Sequence, residues 1–276
     1  MDTCPSRKRR AFLLQWYKKE RDTNRVTHVT QCFLFLFISF VMFIFARWQN
    51  KVREDIKMKE NEKRIVTTGI VYIVAFIIWT MLIQIVDVQA IGPNGTGVGF
   101  ATWNSWFHGL TGVHMVIYHI TDWLGLVPIF VCMGFGCVGL MQLIKRRSLL
   151  KVDYDIMLLG IYYVVVIAGY LVFEMIPINY RPILIEGRLE ASYPSSTTLL
   201  VLCVMPTVVF QSRRRIHHRI TIHMIKIMTA LFSVMMVMCR LISGVHWLSD
   251  IVGACLLSYS LYSLYCAAVK YCDKKE

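Results

Sequence analysis

Cys239-Arg240-Leu241-Ile242-Ser243-Gly244-Val245-His246-Trp247-Leu248-Ser249-Asp250 sets an arginine, a histidine and an aspartate at R-x5-H-x3-D spacing between two strongly apolar runs. If the second run is helical, His246 and Asp250 stand one turn apart on one face. A carboxylate there holds the imidazole in one tautomer and raises its basicity. Arg240 supplies a permanent cation where an anion would meet that imidazole. A basic histidine, an orienting carboxylate and an anion-gripping guanidinium together describe a phosphate site. The apolar runs on either side place that site in a membrane protein.

Composition agrees. The 276 residues are 56% hydrophobic and 17% charged, with a mean hydropathy of +0.53. Soluble domains carry about 25% charged residues. The formal net charge of +13 does not indicate nucleic acid, because the Lys and Arg residues fall in short blocks between apolar runs, as in cytoplasmic loops. Nine cysteines form no C-x-x-C pair and no Cys/His cluster at zinc spacing. Cys132, Cys203, Cys255 and Cys266 lie inside apolar runs and are expected to behave as small buried hydrophobes. Neither a disulfide framework nor a metal site is predicted.

The predicted fold is all-α: a polytopic membrane protein with a six-helix core bundle plus an additional N-terminal hydrophobic segment. The spans are expected at Ile65–Val86, Trp123–Ile144, Ile156–Phe173, Pro194–Phe210, Ile222–Met238 and Trp247–Val269. Gly134, Gly136 and Gly139 suit close helix contact. Residues 1–57 form a basic N-terminal extension containing the apolar run Cys32–Ala46, and 58–276 form the six-span domain. The charged lead is too long for a signal peptide, and no small-residue cleavage site follows. Met58-Lys59-Glu60-Asn61-Glu62-Lys63-Arg64 before a span resembles an ordinary start, so 1–57 is expected to be an upstream extension; a run lying in the interface or turning back is the other reading.

Lys/Arg bias orients the spans. The segments 51–64, 145–151 and 211–219 and the C-terminus are basic and alternate consistently, so they belong inside. Asp87–Asp122, the 174–193 connection and the Arg240–His246 turn fall on the extracytoplasmic face. Asp87–Asp122 has no Lys or Arg but contains His108, His114, His119, Trp103 and Trp106, a composition suited to the membrane interface. Asn94-Gly95-Thr96 matches a glycosylation acceptor, a pattern frequent by chance. His217, His218 and His223 fall on the inner side, as solvated or headgroup-contacting residues.

Arginine, histidine and aspartate near the outer ends of spans are costly without a function. Pro194 is expected at a helix start, with Ser195, Ser196 and Thr197 offering hydroxyls and free N–H groups to an anion. These residues resemble the type 2 phosphatidic acid phosphatase family, which includes haloperoxidases and isoprenyl diphosphate phosphatases. The family pattern is K-x6-R-P, then P-S-G-H, then S-R-x5-H-x3-D. This chain has Glu174-x6-Arg181-Pro182, Pro194-Ser195-Ser196-Thr197 and Cys239-Arg240-x5-His246-x3-Asp250, covering roughly residues 65–270.

The resemblance implies that His246 takes the phosphoryl group and Asp250 orients it. Arg181, Ser195, Ser196 and Arg240 would hold the phosphoryl oxygens, without metal or other cofactor. The implied partner is a phosphorylated lipid in a plasma or inner membrane, not nucleic acid. Two departures matter. Glu174 replaces the family's Lys, and Thr197 replaces the His that protonates the leaving group. Thr197 cannot act as a general acid near neutral pH. A phosphate leaving from a diphosphate needs that proton far less than a lipid alcohol does. The chain is therefore read as a lipid phosphatase, leaning to isoprenyl diphosphate or phosphatidate-like substrates. His108, His114 or His119 would substitute for the acid if their stretch folds over the site. Arg188 would offset Glu174, or Glu174 would receive a cationic head group. The alternatives are a head-group phosphotransferase and a catalytically silent lipid-binding or lipid-transport protein. Structural readings stand beside these: Arg181 as an interfacial anchor, Ser195 as a helix cap, Thr197 as a packing residue.

Overall fold

The computed structural model of the protein describes residues 62–273. The predicted N-terminal hydrophobic segment and the boundary at residues 57 and 58 lie outside them. The helices are α1 (Glu62–Ile85), α2 (Ala101–Thr111), α3 (Met115–Leu124), α4 (Leu126–Arg146), α5 (Tyr154–Met175), α6 (Ser196–Arg215), α7 (Arg219–Ile242) and α8 (Leu248–Asp273), with 3-10 turns at Pro93–Gly95 and Leu149–Lys151. The all-α fold and six apolar helices of crossing length agree with the sequence reading. At about 1.5 Å rise per residue, 20 residues cover the roughly 30 Å hydrocarbon core.

The solvent of this bundle is lipid, and its burial pattern is inverted accordingly. Ile70, Val71, Ile77 and Ile78 of α1, Phe130 and Met133 of α4, and Val164 and Val165 of α5 are exposed. Thr207 and Gln211 of α6 and Ser258, Ser260 and Ser263 of α8 are buried. Without water to satisfy them, such polar groups bond to one another or to backbone. Ser260 Oγ donates to the Gly69 carbonyl at 2.8 Å, and Gln211 Nε2 donates to the Tyr265 hydroxyl at 2.7 Å. Tyr163 OH and Thr207 Oγ1 are 2.7 Å apart. Cys203 and Cys266 are buried, as expected, whereas Cys132 and Cys255 are only partly so.

One end of the bundle carries the basic turns. Arg214 and Arg215 both reach Asp155, at 3.3 and 2.9 Å, and Arg146 pairs with Asp153 at 2.7 Å. The connections 86–100, 176–195 and 243–247 meet at the other end.

The stretch predicted to lie in the interface consists of a closed turn and two helices. A bridge between Gln89 and Val98 closes the turn, and α2 then runs to Gly112. Asn104, buried on α2, accepts from Ser249 N at 3.2 Å and donates to Ser249 Oγ at 2.9 Å, occupying a free amide at the start of α8. Helix α3 follows and continues into α4, so that apolar segment covers Met115–Arg146 rather than beginning near Trp123. Its 32 residues measure about 48 Å, more than the bilayer core needs.

Candidate active site

The turn Ser243–Trp247 joins α7 to α8 and owes its path to Gly244. Gly244 has φ +69°, and a Cβ there would run into the Gly112 carbonyl. His114 N donates to Ser243 O at 3.0 Å, fixing the start of α3 against the turn. His246 therefore sits before α8, not within it. Asp250 is the third residue of α8, and its Oδ2 accepts from Trp247 N at 2.9 Å, capping the helix start.

His246 and Asp250 come together as the spacing predicts, with one difference. Nδ1 and Oδ2 are 4.0 Å apart, and the Ser192 hydroxyl lies between them. Ser192 Oγ is 3.1 Å from His246 Nδ1 and donates to Asp250 Oδ2. With Nδ1–H donating to Ser192, the lone pair is on Nε2, which is buried and has no hydrogen-bond partner. Burial first, then the nearby Arg181 and Arg240 cations, push the His246 imidazole well below its ordinary pKa. The ring is thus neutral, as a nucleophile requires.

Arg240 is 1% exposed. Its Nη2 donates to Asp122 Oδ1 at 3.0 Å and to Thr197 Oγ1, while Nε and Nη1 have no acceptor. Arg181 Nε lies 3.2 Å from Glu190 Oε2, at angles that leave its Nε and Nη1 hydrogens without an acceptor. Both guanidinium groups flank the ring of Tyr118 on α3, at 5.7 and 5.0 Å from its centroid. Leaving a buried donor unmade costs about 1–3 kcal/mol. Unpartnered donors on two arginines whose charges both act on His246 suit an anion.

Two cavities meet here. A polar one of about 370 Å³ is lined by His246, Ser192, Arg181, Arg188, Glu174 and Ser196, among others. An apolar one of about 520 Å³ opens between α4, α5 and α6, with Leu126, Ile129, Val166, Ile167, Leu200 and Val204 in its walls. They share Tyr170 and Ser196. Asp122 and Thr197 belong to the apolar one.

The remaining sequence-selected residues fall as follows. Ser195 takes the N-cap position of α6 without a side-chain bond to a helix amide; it is fully buried, its hydroxyl donating to Thr198 Oγ1 at 3.1 Å, so Ser196 rather than Ser195 lines the cavity. Pro194 precedes this cap instead of opening the helix, following a cis peptide bond. Among the described residues the ion pair of this connection is Arg181–Glu190, not Arg188–Glu174. The 87–122 stretch does reach the site, but through Tyr118 and Asp122. His108 Nε2 is 3.1 Å from Gly244 O, His114 Nε2 is 2.8 Å from Thr111 O, and His119 packs beside Tyr118. None of the three lines either cavity. Sequence reasoning missed Ser192, Tyr118 and Asp122; only Asp122, a lone carboxylate before an apolar run, carried a visible signal.

Neither a protein-family model nor a curated protein matches the sequence. The fold is similar to the crystal structure of a transmembrane PAP2-type phosphatidylglycerolphosphate phosphatase from Bacillus subtilis. The TM-score is 0.53 at 16% identity, covering 75% of this chain and 96% of that one. The chain therefore has a PAP2-like transmembrane fold. It is an integral membrane protein whose six apolar helices carry a buried His-Arg site at one end.

Proposed function

We propose that this protein is an integral-membrane lipid phosphatase. His246 Nε2 attacks the phosphorus of a phosphorylated lipid, and the ester or anhydride bond to the leaving group breaks. Water then hydrolyses the phosphohistidine. Arg181 and Arg240 hold the phosphoryl oxygens, with Ser196 and the first amides of α6 beside them. Asp250 acts on His246 through Ser192, keeping the proton on Nδ1.

One observation carries this reading: His246 Nε2 is buried without a partner, and the two arginines whose charges act on it also keep buried guanidinium nitrogens without partners. The apolar cavity beside it supports a lipid as the substrate, and isoprenyl diphosphate or phosphatidate-like molecules fit that chemistry. The similar Bacillus protein is a phosphatase of a phosphorylated lipid, which favours hydrolysis over other uses of the same fold. Basic turns at the opposite end of the bundle support an active site on the extracytoplasmic face, in a plasma or inner membrane.

The test is inorganic phosphate release from a panel of lipid mono- and diphosphates by purified protein and by His246→Ala. Release by the wild type alone is expected. No release from any substrate, together with no vanadate binding, overturns the reading in favour of a silent lipid-binding protein. Release only in the presence of a lipid alcohol acceptor overturns it in favour of a phosphotransferase.

A further inference from the structure

The leaving group's proton has no evident source at Thr197, and the histidines of 108–119 are turned elsewhere. Beside Thr197 stands a group with the needed chemistry. Asp122, at the end of α3, places Oδ1 3.0 Å from the same Arg240 Nη2 that Thr197 Oγ1 contacts. Its side chain is 60% exposed, although its arginine partner is 1% exposed. The end of α3 abuts residue 197: a Cβ on Gly125 would stand 3.5 Å from Thr197 Cγ2.

We propose that Asp122 is the general acid of this protein, taking over the task that Thr197 cannot perform. The inference rests on the phosphatase reading and adds a catalytic residue and a substrate class, phosphomonoesters of apolar alcohols. Arg240 is the link. Its Nη2 holds Asp122 while Nε and Nη1 are left for the phosphoryl group, so one guanidinium brings the carboxyl and the substrate together. When the P–O bond to the alcohol breaks and the P–Nε2 bond to His246 forms, the Asp122 carboxyl gives its proton to the departing alkoxide. The resulting carboxylate then accepts a proton from the water that attacks the P–N bond. The net change is phosphoester plus water to alcohol plus phosphate, with Asp122 again protonated.

A carboxylate beside a phosphate would also suit a cationic head group. Its position decides between the two. Asp122 lines the apolar cavity together with Leu126, Ile129 and Leu200, walls that suit an aliphatic leaving alcohol better than an ammonium. The polar cavity, which holds His246 and Arg181, does not include Asp122.

The experiment compares a long-chain alkyl monophosphate with the matching alkyl diphosphate, on full-length wild type, Asp122→Asn, Asp122→Glu and Asp122→Asn/Thr197→His. Asp122→Asn should lower kcat on the monophosphate about 100-fold, and that on the diphosphate less than about 3-fold, because a phosphate leaves without a proton. Asp122→Glu should keep monophosphate turnover within about 10-fold of the wild type. A histidine at position 197 in the Asp122→Asn background should restore monophosphate turnover by about 10-fold or more. Equal losses on both substrates would make Asp122 a partner of Arg240 only and overturn the proposal, as would unchanged turnover. If His246-dependent release is seen but these contrasts are absent, the acid assignment falls alone. If neither substrate releases phosphate in a His246-dependent way, both readings fall.

Discussion

His246 Nδ1 and Asp250 Oδ2 stand 4.0 Å apart, with the Ser192 hydroxyl between them. The carboxylate thus reaches the imidazole through a hydroxyl, while also capping α8 through Trp247 N–H. Removing Ser192 should loosen the ring without unfolding the helix. Ser192→Ala is expected to lower phosphoryl transfer about 10- to 100-fold, and His246→Ala to abolish it. Asp250→Asn should do both, slowing transfer and costing about 1 kcal/mol of stability through the weakened cap. Single-turnover phosphate release and thermal melting of the three variants check the division.

Arg240 should not be replaceable by lysine. Its fork holds Asp122 and Thr197 on one nitrogen and leaves Nε and Nη1 for an anion. A lysine offers a single point charge in place of that planar pair of donors. Arg240→Lys is expected to lower kcat/KM about 100-fold and to weaken vanadate binding in parallel. Equal vanadate affinity in the two proteins would remove Arg240 from the anion site.

Acid should destabilise the protein through His246. Its imidazole is held well below the usual 6.5 by burial and by the two arginines, so the folded chain keeps it neutral. The unfolded chain takes up that proton below about pH 6.5. Stability from this group is therefore fully present above about pH 6.5 and is lost as pH falls toward the folded value. Between about pH 7.5 and 5.5 the wild type should lose melting temperature more steeply than His246→Gln. Parallel curves for the two proteins would contradict the buried neutral ring.

Glycine at 244 should be obligatory. A side chain there meets both φ +69° and the Gly112 carbonyl. Gly244→Ala is expected to cost more than about 2 kcal/mol and to abolish activity, because the turn carries His246. Gly109→Ala, on an open helical surface, should be neutral or stabilising by about 0.5–1 kcal/mol. Melting in the same detergent distinguishes the pair.

The sequence by itself determined the bundle and the local grouping of Arg240, His246 and Asp250. Apolar runs of crossing length and Lys/Arg blocks require no partner to be legible, since bilayer thickness and charge placement act on each segment alone. Arg240, His246 and Asp250 lie within eleven residues, so one turn and one helix start bring them together. What tertiary structure decided is everything contributed from a distance. Ser192 enters between His246 and Asp250 from a connection more than 50 residues away. Tyr118 and Asp122 reach Arg240 because α3 is anchored through His114 N to Ser243 O. Ser195 and Ser196 are neighbours in sequence, yet helix phase buries one hydroxyl against Thr198 and turns the other residue to the cavity. Local pattern encodes which residues lie on one helix face; which groups meet across helices depends on packing that no single segment contains.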